Sequence, residues 1–250
     1  MPLHEAEAVV LRHYSFADAD RIVVLFTRES GLLRAVAKGV RRPKSRLGAS
    51  LEPLNHLRIS YYAREGAELC RLFQCEMLHS YLGKRPSLDQ ICGFAYFAEL
   101  ILETSQENNP NPVVFRLLLS SLGAGERLGV GSALLRYFET WLLKLNGLLP
   151  NYDYCSACGR YVKEQGFYVL PESGQTRCEA CAQGRGCQIG PEASAHLHRM
   201  MSTAPEPFAL TPLSAHAAAE LERLSRRLLE WTLEKRLKSY PFVQQVPAGS

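Results

Sequence analysis

The sequence contains no run of 18 uninterrupted apolar residues, the length a membrane-spanning helix needs. Its N-terminus, "MPLHEAEAVVL", places acids where a secretory signal needs a basic stretch followed by a long apolar one. These two absences point to a soluble cytosolic protein without membrane association. The signatures of familiar enzymes are missing too. There is no G-x4-G-K-[ST] phosphate loop, and "GAGERLG" and "GRGCQIG" both miss the G-x-G-x-x-G spacing of a dinucleotide site. Neither a G-x-S-x-G elbow nor an H-E-x-x-H pair occurs, and the seven histidines are scattered. No catalytic or nucleotide-binding signature is therefore legible in the sequence. No internal repeat or low-complexity tract is present.

What remains is enough material for genuine cores, since 46% of the 250 residues are hydrophobic. The 29 basic and 25 acidic side chains nearly balance at a formal +4, so the distribution of charge matters more than its total. Residues 1–80 read as five short strands, "EAVVLRHY", "RIVVLFT", "LLRAVAKG", "LNHLRISYYA" and "AELCRLFQCEML". That count suits a small closed barrel, and both an OB-fold and an SH3-like barrel accommodate it.

Near residue 85 the hydrophobic period changes to that of helices. Ser87 followed by Gln90 forms a capping-box signature, and Leu88, Ile91, Cys92, Ala95, Ala98 and Leu102 then recur at helical spacing. Phe94, Phe97 and Ile101 fill other faces, so this helix is expected at the centre of a helical domain. A second helix starts with Asn111 as N-cap and Pro112 at its first position, and a third, "SALLRYFETWLLKLNG", ends at Gly147. After a cysteine-bearing excursion at about 152–187, a long amphipathic helix resumes through Leu213, Ala217, Leu221, Leu224, Leu228 and Trp231. The expected domains are 1–80, a barrel, and 81–250, a helical domain with that insertion.

Eight cysteines need sorting, in a reducing compartment that disfavours disulfides. Cys70, Cys75 and Cys92 stand singly in apolar segments and read as small buried hydrophobes. Cys155-x2-Cys158, 19 residues, and Cys178-x2-Cys181 have the spacing by which two knuckles present four thiolates to one tetrahedral Zn²⁺. Gly159 suits a tight turn after the first knuckle, and "GFYVLPESGQTRC" reads as a hairpin between the pairs. A redox pair would want a βαβ context and has no use for a second pair. Four cysteines also close the coordination shell, so the metal reads as structural. Cys187 reads as a spare thiol with a lesser claim as substitute ligand, and His196 and His198 as exposed helix residues.

The second constellation is "RAVAKGVRRPKSRLG". Arg34, Lys38, Arg41, Arg42, Lys44 and Arg46 lie between Glu29 and Glu52 with no intervening acid. A charge run is often only a solvated face. On a small β-barrel, however, it suits the backbone of a nucleic acid. Tyr14, Phe16, Tyr61 and Tyr62 are candidate stacking partners, although strand aromatics are more often core. Asp18 and Asp20 in "FADAD" read as turn formers rather than as nuclease metal ligands.

These residues resemble the bacterial recombination mediator family RecO. The resemblance is carried by "EAVVLRHYSFADADRIVVLFTRESGLLRAVAKGVRRPKSRLGASLEPL", by the helical middle, and by "CSACG" with its partner pair. It implies an α+β fold, with an N-terminal five-stranded OB-fold β-barrel followed by an all-helical domain carrying an inserted four-cysteine zinc segment. It also implies a cytoplasmic, nucleoid-associated, non-enzymatic protein of DNA repair and recombination. Such a protein binds single- and double-stranded DNA, anneals complementary strands, and works with RecR to load RecA onto DNA coated by single-stranded DNA-binding protein. By analogy, Arg136, Phe138 and Leu142 would receive the acidic C-terminal tail of that coating protein. One departure stands out, because "FADAD" lacks the Gly-Glu expected before the second strand, which bears on the geometry of that turn.

Two rival readings compete with DNA annealing. A zinc-ribbon transcription regulator or RNA-binding module would use the ribbon for contact, but Arg160, Lys163, Arg177 and Arg185 are offset there by Glu164, Glu172 and Glu179. A metal-dependent nuclease would need more acids near "FADAD".

Overall fold

The computed structural model describes residues 2–42, 45, 47–64, 66, 68–170 and 172–245. It divides into two compact units, Met1–Arg116 and Leu117–Ser250.

In the first unit, strands β1 (Leu3–Phe16), β2 (Asp20–Thr27), β3 (Gly31–Ala37), β4 (Asn55–Tyr62) and β5 (Cys70–Ser80) form a closed barrel in the order β1-β2-β3-β5-β4. All neighbours are antiparallel except β3 and β5, which meet in parallel at Ala35 and Val36 against Cys70 and Arg71. This order, with β5 crossing over to close on β3, decides for the OB-fold over the SH3-like barrel. Alternate residues fill the interior. Ala8 and Val10 of β1, Val23 and Leu25 of β2, Leu33 and Ala35 of β3, and Leu57 and Ile59 of β4 are buried there, as period-2 side-chain alternation requires.

One helix and the first turn of a second continue this unit. Helix α1 (Leu88–Thr104) begins with the expected capping box between Ser87 and Gln90. It is not buried all round as expected, because Phe94, Phe97, Ala98, Leu100 and Ile101 are buried while Leu88, Ile91 and Ala95 are exposed. The aromatic side carries the larger apolar area, and burial follows area rather than the regularity of the smaller stripe. Cys92 is correspondingly only half-buried, as is Cys75, whereas Cys70 is in the barrel core. Helix α2 (Pro112–Leu128) starts with the Val114 N–H donating to the Asn111 side chain at 3.1 Å, the expected N-cap. Phe115 in its first turn packs 5.8 Å from Phe26 and 6.1 Å from His56, ring to ring, on the outside of the barrel. The segment before α2 also presses on the β2–β3 turn, where the Leu32 N–H donates to the Gln106 carbonyl at 3.0 Å. Gly31 has φ +70 there, and a Cβ would stand 2.4 Å from the Asn109 carbonyl oxygen, so only glycine fits.

The second unit is built on α3 (Ser132–Leu145), α5 (Pro191–Met200), α6 (Pro205–Ala209) and α7 (Ala215–Leu233), with α8 (Tyr240–Gln245) at its end. α3 packs against α6 and α7, and α5 against both of these as well. Ala217, Leu221, Leu224 and Leu228 form the expected buried stripe of α7, but Trp231 is exposed and lies beyond it. Inserted between α3 and α5 is a small sheet in the order β7-β6-β8, from β6 (Phe167–Leu170), β7 (Gln175–Arg177) and β8 (Cys187–Ile189), with the one-turn helix α4 (Glu179–Ala182). No helix among the described residues is long and apolar enough to cross a membrane.

Candidate functional site

The four expected ligands converge. The Sγ atoms of Cys155, Cys158, Cys178 and Cys181 all lie within 4.8 Å of one another, with Cys158 and Cys178 at 3.7 Å. A tetrahedron of sulfurs about 2.3 Å from a central Zn²⁺ has edges of about 3.8 Å, so this donor set fits that ion in both size and chemistry. The local sequence explains the convergence. Gly159, at φ +71, turns the first knuckle back so that its N–H donates to the Cys155 carbonyl at 2.9 Å. The β6–β7 hairpin then carries the chain to Cys178. The Ser156 N–H and hydroxyl both donate to the Thr176 carbonyl, at 2.8 and 2.7 Å, holding the first knuckle beside the second.

Four adjacent thiols cannot all lose their protons cheaply without a cation. Burial pushes the Cys155 thiol up, but donation from the backbone of Cys178, Cys158 and Ala157 and from the Cys158 thiol outweighs it and holds Cys155 down to about 6. The thiols of Cys178 and Cys158, with burial and Cys155 behind them, push Cys181 up to about 12. A divalent ion would remove that opposition by charge alone.

Third-strand pairing was not legible in the spacing. β8 aligns Cys187 with Val169 and buries it, which places this thiol in the sheet and outside the four-sulfur cluster. The segment is tied down by the Gly190 N–H donating to Glu220 at 2.8 Å and the Ser194 hydroxyl donating to the Lys163 carbonyl at 2.6 Å. His196 and His198 are not exposed as expected. His196 is buried edge-on to Phe208, and His198 is half-buried against Tyr152 and Asp153. Both are held below the ordinary histidine value, first by burial and then by Arg199 and Lys163 respectively.

The basic constellation leaves the barrel at the end of β3. Lys38, Arg41 and Arg42 are exposed, and Lys44 and Arg46 lie outside the described residues. The loop is anchored by the turn it faces. The Gly39 N–H donates to the Asp20 carboxylate at 2.7 Å, and the Arg41 N–H to the Ala19 carbonyl at 2.9 Å. Asp20 is thus more than a turn former, because it fixes the root of the cationic loop. The turn itself, "FADAD", which lacks the expected Gly-Glu, bends at Ala17 with φ 50, a left-handed residue. Arg34, on β3, is exposed but ion-paired with Glu107 at 2.9 Å, so its charge is partly offset.

The three α3 residues are elsewhere. Arg136, Phe138 and Leu142 are 3%, 0% and 0% exposed. Arg136 pairs at 2.8 Å with Glu139, which also accepts from the Ser225 hydroxyl of α7. Side chains at that depth offer a partner peptide no surface, so the tail-binding role assigned to them does not survive. On α3 a basic residue followed by apolar ones marks core packing around a buried ion pair.

A five-stranded OB barrel with an exposed cationic loop is followed by helices and a four-cysteine cluster, the order that the resemblance implies. The comparisons agree with it. The family described as "Recombination protein O N terminal" matches residues 1–81, and "Recombination protein O C terminal" matches residues 85–241. The chain is 34% identical to the DNA repair protein RecO of Koribacter versatilis (strain Ellin345), over 94% of this chain and 96% of that one. It is 34% identical to the DNA repair protein RecO of Symbiobacterium thermophilum, covering 97% of each, and 32% identical to that of Anaeromyxobacter dehalogenans (strain 2CP-C), covering 95% and 94%. The chain belongs to the RecO family of DNA repair proteins. The transcription-regulator reading of the zinc segment is accordingly not favoured.

Proposed function

We propose that this chain binds single- and double-stranded DNA through the loop of Lys38, Arg41, Arg42, Lys44 and Arg46 with Arg34 beside it, and anneals complementary strands. In this reading it also works with RecR to load RecA onto DNA coated by single-stranded DNA-binding protein, whose acidic tail it contacts elsewhere than on α3. It acts in the cytoplasm, at the nucleoid, as a non-enzyme. Residues 1–80 supply the DNA surface, and residues 81–250 supply the helical scaffold and partner contacts.

The observation that carries this reading is the exposed run Lys38, Arg41 and Arg42, rooted on the barrel through Asp20, in a chain of the RecO family. Cations at the phosphates of one strand screen its repulsion from a second, which lowers the electrostatic cost of bringing complements together. Neither step consumes ATP. Zn²⁺, held by Cys155, Cys158, Cys178 and Cys181, would cross-link the two knuckles as a structural clip. The chain's own hairpin, β8 contacts and Gly190–Glu220 hydrogen bond then orient the segment on α5 and α7.

The test is annealing of complementary oligonucleotides without ATP, with bare and with protein-coated strands, across a salt series. Acceleration on both, fading as salt rises, is the expected result. No acceleration by folded, zinc-loaded protein would refute the proposal.

A further inference from the structure

The four sulfurs of the cluster are not equally placed. Cys155 and Cys178 are buried and Cys181 is half-buried, whereas Cys158 is exposed. The tip of the first knuckle shares that exposure from Ser156 to Arg160, and a Cβ added to Gly159 would meet nothing within 4 Å. The second knuckle is shielded by its neighbours in sequence, since Thr176 before it and Ala182 after it are both buried. A dissolved electrophile therefore meets the Cys158 sulfur first, because attack on a cysteine follows exposure as well as thiolate character.

A second sulfur stands beside it. Cys178 Sγ lies 3.7 Å from Cys158 Sγ and belongs to the other knuckle. That proximity is supported by the backbone as well as by any ion, because the Ser156 N–H and hydroxyl both donate to the Thr176 carbonyl. The remaining thiol of the segment, Cys187, is buried opposite Val169 in β8 and outside the cluster, so it competes for neither position.

We propose that Cys158 is a modification site for hydrogen peroxide and that Cys178 resolves it, so that the oxidant exchanges the metal clip for a disulfide between the knuckles. In the first step the Cys158 thiolate attacks one peroxide oxygen. The S–O bond forms, the O–O bond breaks and hydroxide leaves, so the sulfur has given two electrons to the peroxide and become a sulfenic acid. In the second step the Cys178 thiolate attacks Cys158 Sγ. The S–S bond forms, the S–O bond breaks, and a second hydroxide leaves toward solvent, away from the buried attacking sulfur. Two thiolates and one peroxide have become one disulfide and two hydroxides. Cys155 and Cys181 are left, and two thiolates do not complete the four-ligand shell of a structural Zn²⁺, so the ion departs. Because Cys158 and Cys178 sit on different knuckles, the new bond keeps the segment closed, which a bond within either Cys-x2-Cys pair would not. The inference goes beyond the DNA-binding reading and rests on the structural-zinc reading.

The experiment treats the full, zinc-loaded chain with hydrogen peroxide beside an untreated control. Zinc is followed with a chromogenic dye, disulfides by peptide mass spectrometry without reductant, and amide protection by hydrogen exchange. Expected are loss of the bound zinc, a peptide cross-linked through Cys158 and Cys178, and rebinding of zinc after reduction. Protection at Val169 and Thr176 should survive the oxidation, although removal of the metal by a chelator alone strips it. A chain that takes up no zinc overturns the structural-zinc reading, and this inference with it. Zinc retained under peroxide overturns the inference and leaves the structural clip intact. A disulfide within either Cys-x2-Cys pair, or a Cys158 sulfinic acid without any disulfide, overturns the role given to Cys178. Cys187→Ala should release zinc at the rate of the unaltered chain, and a slower release overturns the exclusion of that thiol. The measurements on the unaltered chain do not depend on how any variant folds.

Discussion

Replacing Arg41 and Arg42 together with alanine removes two exposed cations and leaves the Asp20 anchor of the loop in place, since that bond is made by the Gly39 backbone. Each phosphate neutralised on a single strand contributes about 0.7 to the slope of log affinity against log salt, so the double variant should shallow the slope by about 1.4. Between 50 and 200 mM salt, a fourfold change, that slope difference amounts to about a sevenfold narrowing of the affinity range. Fluorescence anisotropy with a labelled oligonucleotide reads it directly. Arg34 supplies the internal control. Its guanidinium is 2.9 Å from Glu107 and reaches a phosphate only by giving up that partner. Arg34→Ala should therefore lower the slope by less than about 0.7, and Glu107→Gln should raise it. An unchanged slope in the double variant removes the loop from the interface, and a full 1.4 loss from Arg34→Ala alone would refute the argument from pairing.

Four further outcomes follow from the geometry. Ala17→Gly relieves a left-handed residue that costs about 1–2 kcal/mol. Against about 0.5–1 kcal/mol of added unfolded-chain freedom, it should stabilise by up to about 1.5 kcal/mol in denaturant titration, and a loss of stability would contradict the strain. Chelating the metal should strip hydrogen-exchange protection from the amides of Tyr168, Val169 and Thr176 while Val23, Leu25 and Leu33 keep theirs; equal loss in barrel and hairpin would rule out a local clip. His196 is held below the ordinary value by burial, so the folded state resists a proton that the unfolded chain takes up near pH 6.5. Its stabilising contribution is complete above that pH and lost as pH falls through the lowered folded value; His196→Gln should flatten that decline in a stability–pH series, and an unchanged curve would exclude it. Arg136→Ala should cost about 3–5 kcal/mol by leaving Glu139 buried without its cation, read in thermal or denaturant unfolding, and a fully stable variant would reopen a surface role for Arg136.

Much of the architecture was legible because it depends on local chemistry. The Ser87–Gln90 box and the Asn111 cap rest on contacts between residues close in sequence, and the strands and the two-knuckle cysteine spacing carry local patterns of residue type; each appears where its residue types placed it. What was not legible depends on distant partners. Strand β8 is only three residues long and exists because β6 offers it an edge. His196 and Arg136 look like surface residues until α6 and α7 are packed around them. Trp231 continues the apolar period of α7 in sequence, but the packed side of the helix ends before it.

The barrel shows how one extra residue misleads a reading of strand alternation. A strand's alternation assigns each side chain to the inside or the outside only while the register is unbroken, and a single extra residue reverses every later assignment. Counted along β1 without the bulge at Leu11, Arg12, Tyr14 and Phe16 share a side with Ala8 and Val10 and read as core, with an arginine awkwardly among them. Counted with it, Arg12, Tyr14 and Phe16 face solvent, and the awkward arginine is explained. A cation that breaks an apolar alternation is therefore informative in itself. On a strand otherwise made for the core, it marks the point beyond which the register has shifted and the later side chains face solvent.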